Sequence, residues 1–292
     1  MKFGKFNLEI VRESSFRLDG GAMYGVVPKT LWSRGVDVDE ANRVLLNCNL
    51  LLIETPKGRV LVETGMGNRW SDIEKDRYQL ESLVSPDSML NQLGLSNDEV
   101  DAVLISHLHF DHAGGATIEK DGVLVPAFPK AKYYVQKGEW EFAHNCNARA
   151  RGSYRFEDFE PLLEHGVLEF VDGDKEILPG VWLKVTGGHT SHHQVIYFES
   201  EGLSGVYFAD ILPTAGHVQP PWVMGYDHYP LTSCDIKSEW LAKAVEEKWL
   251  VVFDHEPGIP WGHVSINEKK KFQFEPLAAE TLQSCRRAEA TG

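Results

Sequence analysis

Short apolar runs alternate with polar breaks along most of the chain, and the spacing of the apolar positions predicts a strand-rich protein with interleaved helices. Residues 6–11 and 15–18 read as a first pair of strands. Residues 43–54 read as a long central strand, turned by Pro56-Lys57-Gly58 into a partner over 59–65. An apolar run at 100–105 suits a strand buried on both faces, and 131–135, 167–171, 181–185, 194–198, 205–208 and 251–253 continue the strand pattern. Helical spacing is expected over 72–82, 88–93, 138–145, 156–165 and 235–249. In the last of these, Trp240, Leu241, Ala244, Val245 and Trp249 form one apolar stripe for the core. The aromatic stretches at 19–32 and 211–231, broken by Gly and Pro, read as ordered loops. The basic stretch 147–153 reads as a solvated linker between helices, with a lid as the alternative.

This alternation places the chain in the α/β class, and 292 residues without a compositional break predict a single domain over 1–292. Charge narrows the partners. Twenty-nine basic against forty-three acidic residues give a formal net charge of −14, which argues against a nucleic-acid or anionic-membrane surface. Cys48, Cys146, Cys234 and Cys285 are scattered without a CxxC pair, so neither a thiolate zinc site nor a disulfide framework is expected. With no apolar segment of signal or membrane-spanning length, the chain reads as soluble and cytoplasmic.

The chemistry is concentrated in Ser106-His107-Leu108-His109-Phe110-Asp111-His112-Ala113-Gly114-Gly115, directly after the apolar run at 100–105. Four potential metal ligands fall within six residues. On extended backbone His107 and His109 point the same way, and a turn through Phe110 brings Asp111 and His112 beside them. The paired glycines allow close backbone approach.

An HxHxDH pattern at a strand end resembles the signature of the metallo-β-lactamase superfamily. The resemblance implies an αββα sandwich, two mixed β-sheets flanked by helices, with metals at one edge. It also predicts three further ligands: His189 in Gly187-Gly188-His189-Thr190, Asp210 in Phe208-Ala209-Asp210, and His255 in Phe253-Asp254-His255. By the family pattern His107, His109 and His189 hold one metal ion, Asp111, His112 and His255 hold the other, and Asp210 bridges them. The implied cofactors are two divalent ions, zinc first, with iron, manganese or cobalt compatible with the same donors. A hydroxide shared by the ions would attack an ester carbonyl, with Asp111 passing the proton to the leaving oxygen, so Asp111 and Asp210 are the expected catalytic carboxylates. Where the family commonly has Asp behind a ligand histidine, this chain has Glu63, which is expected to contact such a histidine from outside the metal shell. His192, His193 and His263 are read as supporting groups.

The loops at 25–32 and 211–231 resemble those of the branch containing N-acyl homoserine lactonases and related organophosphate hydrolases. That likeness implies lactone-ring opening, with Met23, Trp32, Trp222, Met224, Tyr226 and Tyr229 walling an acyl-chain groove. Pro213 stands where lactonases often carry a substrate-holding Tyr, a role that passes to Tyr226 or Tyr229. Phosphotriester or aryl-ester hydrolysis is the alternative, and β-lactam or thioester hydrolysis ranks below it. A redox enzyme of this fold usually has Glu at the position of His109, and a non-catalytic module is expected to lose ligands. The partner is a small ester or lactone, with no nucleic acid and no membrane; a homodimer is the one assembly left open.

Overall fold

The computed structural model describes residues 1–277. Two mixed β-sheets pack face to face. The first follows the spatial order Lys2–Phe3, Phe6–Asp19, Arg43–Thr55, Gly58–Val62, Ala102–Leu104, Lys132–Gln136 and Leu168–Val171, with Glu81–Ser82 paired to Phe6–Asp19. The second runs Lys175–Leu178, Val181–Val185, Gln194–Ser200, Leu203–Tyr207, Leu250–Val252, Trp261–Ile266 and Phe272–Pro276. Thr117–Lys120 and Val123–Pro126 form a separate hairpin. This is the αββα sandwich expected from the sequence.

The central strand explains why its sequence is apolar without alternation. Leu51 and Ile53 face the second sheet together with Val60, Val62, Leu104, Ile196, Phe198 and Val252, while Leu50 and Leu52 face the helical layer with Leu61, Val103 and Ile105. Both faces are covered, so the run Leu50–Ile53 is apolar throughout, while the buried Asn47 and Asn49 nearer the sandwich edge are kept by hydrogen bonds to the segment after Val252. Truncating such a buried Leu to Ala costs about 2–5 kcal/mol. On the outer face of the second sheet, Leu241, Ala244 and Trp249 pack on Val206, Phe208 and Val251, as the predicted stripe requires.

Several elements differ from the sequence reading. The two N-terminal strands are one, Phe6–Asp19, with a bulge between Arg12 and Ser14. The polar trio that reads as a break instead buries Glu13, whose carboxylate accepts from Met66 N and Gly67 N at 3.1 Å each. The helix expected over 88–93 is two single 3-10 turns, and the one over 72–82 stops at Tyr78. The last helix runs Pro230–Glu246, beginning five residues earlier than expected with the Pro230 ring suited to the first turn, and ending three residues earlier, so Trp249 packs from the segment that follows it. Cys48, Cys146 and Cys234 are free thiols, and Cys285 lies outside the described residues. Among the described residues no helix is long and apolar enough to cross a membrane.

Candidate metal centre

One edge of the sandwich gathers the predicted ligands because each leaves the carboxyl end of a strand. Ala102–Leu104 leads to His107, Val181–Val185 to His189, Leu203–Tyr207 to Asp210, and Leu250–Val252 to His255. Cross-sheet hydrogen bonds lock this edge. Gln194 N and Nε2 donate to Ser106 O and Ile105 O at 3.1 and 2.8 Å, and Asn49 N donates to Asp254 O at 2.8 Å.

His109 is extended and opens a single helical turn, Phe110–Ala113, which swings Asp111 and His112 back toward His107. The His107 and His112 rings lie 4.1 Å apart, and those of His107 and His109 4.4 Å apart. A side chain at Gly114 would collide with the carbonyls of Met66 and Phe110, so only glycine lets the turn dock there. Thr64 N and Oγ1 both donate to His112 O, at 2.9 and 2.8 Å.

Two groups of donor atoms result, joined by Asp210. In the first, the His189 Nε2 is 3.1 Å from His109 Nδ1 and 3.0 Å from Asp210 Oδ2, and His107 Nε2 is 3.7 Å from the same carboxylate oxygen. In the second, His112 Nε2 is 3.6 Å from Asp210 Oδ2 and His255 Nε2 is 3.3 Å from Asp210 Oδ1. Asp111 reaches this second group, 3.6 Å from His255 Nε2 and 3.8 Å from His112 Nε2. So does Asp254, at 3.2 and 3.8 Å from the same two atoms.

Whether these residues suit metal ions can be judged from their unmet bonding. His107 Nε2, His112 Nε2, His255 Nε2, Asp210 Oδ1 and Asp254 Oδ2 are all buried and make no hydrogen bond. Each such atom costs about 1–3 kcal/mol if left unpaired. Their convergence on two points, through imidazole nitrogens and carboxylate oxygens, is what a pair of divalent cations would satisfy.

Three of the remaining ring nitrogens are tied from behind, while His109 Nε2 and His112 Nδ1 make no hydrogen bond. His255 Nδ1 donates to Asn47 O at 2.8 Å, His107 Nδ1 meets Ser106 Oγ at 2.9 Å, and His189 Nδ1 donates to Asp227 Oδ1 at 2.9 Å. These contacts aim each Nε2 at the centre. Glu63 is buried, accepts from Ser106 N at 3.0 Å, and stands 3.5 Å from His112 Nδ1. Its backbone is left-handed, with φ 64°. Burial works against ionisation of Asp210, but the His189 and His112 imidazoles outweigh it and hold the carboxyl well below its ordinary range. Burial likewise disfavours protonation of His189, yet Asp210 and Asp227 overcome this and raise it to about 10.

Above the centre lies a cavity of about 390 Å³. His109, Asp111, His189, Asp210 and His255 form its floor, and Leu18, Met23, Tyr78, Phe110, Met224 and Tyr226 form its apolar walls. Of the six residues expected to wall a groove, Met23, Met224 and Tyr226 line this cavity. Trp32, Trp222 and Tyr229 do not line it. Trp32 is buried in a stack, 4.9 Å from Tyr24, whose other face lies 4.5 Å from His217. Trp222 packs edge-on to Tyr24 and its carbonyl accepts from the buried Lys237 Nζ at 2.6 Å. Tyr229 is exposed at the start of the last helix.

Sequence reasoning missed Asp227, Arg149 and His228. The stretch 147–153, expected to be a solvated linker, is a cavity wall: Arg149, Gly152 and Ser153 line it, and Arg149 Nη2 donates to Gly225 O and Asp227 O at 2.6 and 3.3 Å. His192 lies against Gly138 away from the centre, and His263 Nδ1 pairs with Trp249 O at 2.9 Å.

A sequence profile described as the metallo-beta-lactamase superfamily matches residues 43–263. An N-acyl homoserine lactonase of Bacillus cereus is 29% identical over 251 residues, which cover 80% of this chain and 90% of the relative. The crystal structure of a probable metal-dependent hydrolase from Staphylococcus aureus superposes with a TM-score of 0.86 at 29% identity, covering 95% of this chain and all of the other. A structure of AidC, a dizinc quorum-quenching lactonase with the product N-hexanoyl-L-homoserine, shares the fold at a TM-score of 0.79 and 19% identity, over 95% of this chain and 96% of that one. With the profile spanning well over half its length and the donor cluster at the sandwich edge, the chain belongs to the metallo-beta-lactamase superfamily and is a hydrolase of that superfamily.

Proposed function

We propose that the chain opens a lactone ring, an N-acyl homoserine lactone first among candidates, at a dinuclear metal centre. The observation that carries this reading is the convergence of buried, unpaired imidazole and carboxylate atoms on the floor of a largely apolar cavity. The relative named as an N-acyl homoserine lactonase supports the choice of substrate. His107, His109 and His189 would hold one ion, His112, His255 and Asp111 the other, and Asp210 both. When bound, such ions supply Lewis acidity toward a carbonyl oxygen and make water acidic enough to attack near neutral pH.

The chain's own groups do the rest. Asp210, kept ionised by its histidine neighbours, fixes the two halves of the floor relative to one another. Asp111 faces the cavity, where it would accept the proton given up by the attacking water and pass it to the ring oxygen as the carbonyl–oxygen bond breaks. Burial, with Asp19 nearby, pushes Tyr226 up to about 12, so its phenol stays neutral and serves as the hydrogen-bond donor that Pro213 cannot be. The side chains of Leu18, Met23, Phe110 and Met224 exclude water and take the acyl chain.

The test is proton release by metal-loaded protein on hexanoyl and decanoyl homoserine lactones, run beside a phosphotriester, a cephalosporin and a glutathione thioester. Lactone turnover exceeding the other three supports the reading. Turnover of the phosphotriester with no lactone opened would transfer the function to triester hydrolysis on the same centre.

A further inference from the structure

We infer that Asp254 is a direct ligand of the second cation, an eighth metal-binding side chain that makes the two metal positions chemically unequal. This rests on the dinuclear reading above and extends it to a residue that the HxHxDH pattern and its downstream partners leave out.

The backbone around Asp254 fixes where its carboxylate points. The main-chain oxygen accepts from Asn49 N at 2.8 Å, and Oδ1 accepts from His255 N at 2.9 Å. With one oxygen so held, Oδ2 turns into the cluster, 3.2 Å from His255 Nε2 and 3.8 Å from His112 Nε2. The residue is 2% exposed and Oδ2 makes no hydrogen bond. Among the described residues no Lys or Arg lies within ion-pair distance of it; its only charge partners are those two histidines. A buried carboxylate oxygen with no donor is costly unless a cation stands where it points.

Asp111 lines the cavity and Asp254 does not. The second position is thus faced from the cavity by Asp111 and closed from behind by Asp254, with His112, His255 and Asp210 around it. Its donors are two imidazoles and three carboxylates, against three imidazoles and one carboxylate for the position held by His107, His109, His189 and Asp210. The nitrogen-rich, four-donor set suits tetrahedral zinc. The oxygen-rich set favours a harder ion with more ligands, such as manganese or iron.

The experiment uses the full chain stripped of metal and reloaded with Co²⁺, in the wild type and in Asp254→Asn, Asp254→Ala and Asp210→Asn. Asparagine keeps an oxygen for His255 N and removes only the charge. The expected result for Asp254→Asn is one equivalent lost to a competing chelator at least tenfold more readily, the other unchanged, and a stronger visible Co²⁺ absorption as one ion's coordination number falls. Chelator competition and a Co²⁺ spectrum both matching wild type would overturn the inference and leave Asp254 as a backbone cap. If the reloaded wild type holds one equivalent or fewer, the dinuclear reading itself falls, whereas Asp210→Asn retaining both equivalents at wild-type affinity would remove only the joining role of Asp210. A measurement on the wild type alone guards against misfolded variants: Mn²⁺ competing against Zn²⁺ should displace one equivalent preferentially, and equal displacement of both would count against unequal positions.

Discussion

Asp227 Oδ1 accepts from His189 Nδ1 at 2.9 Å, and the carbonyl of the same Asp227 receives Arg149 Nη2 at 3.3 Å. A single residue therefore orients a floor histidine through its side chain and anchors a cavity wall through its backbone. Asp227→Asn keeps the shape and weakens only the first contact. Loss of such a carboxylate partner typically costs 10–100-fold in metal affinity or activity. We expect a fall of that order in kcat/KM with KM little changed, read together with bound zinc by elemental analysis. A wild-type kcat/KM would mean that His189 holds its orientation without Asp227.

Removal of the joining carboxylate should be more severe. Asp210→Ala is expected to leave fewer than two metal equivalents and to reduce turnover by at least a thousandfold, because both donor groups meet at this residue. His192→Ala should change neither quantity, since its ring lies against Gly138. Metal content and turnover of the two variants, measured side by side, check the ranking.

The cavity walls predict a chain-length dependence. Burying one methylene is worth about 0.8 kcal/mol, roughly fourfold in kcat/KM when enclosure is complete. With walls open to solvent at the mouth, decanoyl homoserine lactone should be preferred to its hexanoyl homologue by about tenfold. Met224→Ala should flatten that preference, and Trp222→Ala should leave it, because Trp222 does not line the cavity. Subsaturating rates across a homologous series decide between them.

Stability should depend on pH through Glu13, a buried carboxyl outside the cavity lining. Burial pushes Glu13 from 4.5 up to about 7, although the Met66 and Gly67 amides pull the other way. A folded-state value above the unfolded one favours the protonated form in the native state. This contribution is therefore complete below about pH 4.5 and is lost as pH rises through about 7. Its full size is on the order of 3 kcal/mol. Glu13→Gln should remove that slope, so urea midpoints of wild type and variant should converge or cross between pH 5 and 8. Parallel pH profiles for the two proteins would refute the assignment.

The floor was far more legible in the sequence than the walls. His107, His109, Asp111 and His112 sit within one short motif, and His189, Asp210 and His255 each follow a readable strand. Spacing exposes such ligands because chemistry demands several donors on few turns of backbone. Asp227 lies 38 residues beyond the histidine it orients, and no local pattern marks a contact of that range. Asp254, whose Oδ2 turns into the donor cluster, stands beside a motif residue, where it reads as a flank. Trp32 and Trp222 were misplaced because aromatic loop residues near a site can wall a cavity or bury one another, and stacking with Tyr24 and His217 satisfies them without a ligand. Among the missed strands, Lys175–Leu178 does not alternate, and the edge strand Phe272–Pro276 alternates over too few residues to stand out from its lysine-rich flank. The break read at Arg12 to Ser14 is a bulge, a feature that composition disguises as a turn.

The floor residues ride on strand ends pinned by two sheets, whereas Arg149, Ser153, Met224 and Tyr226 ride on connecting segments. Much of the wall is therefore carried by stretches of chain separate from the floor, with Leu18 on a strand and Phe110 within the donor motif as the exceptions. Exchanges within 147–153 or at 224–226 can redraw the shape of the cavity while the strand-borne donor atoms stay in register.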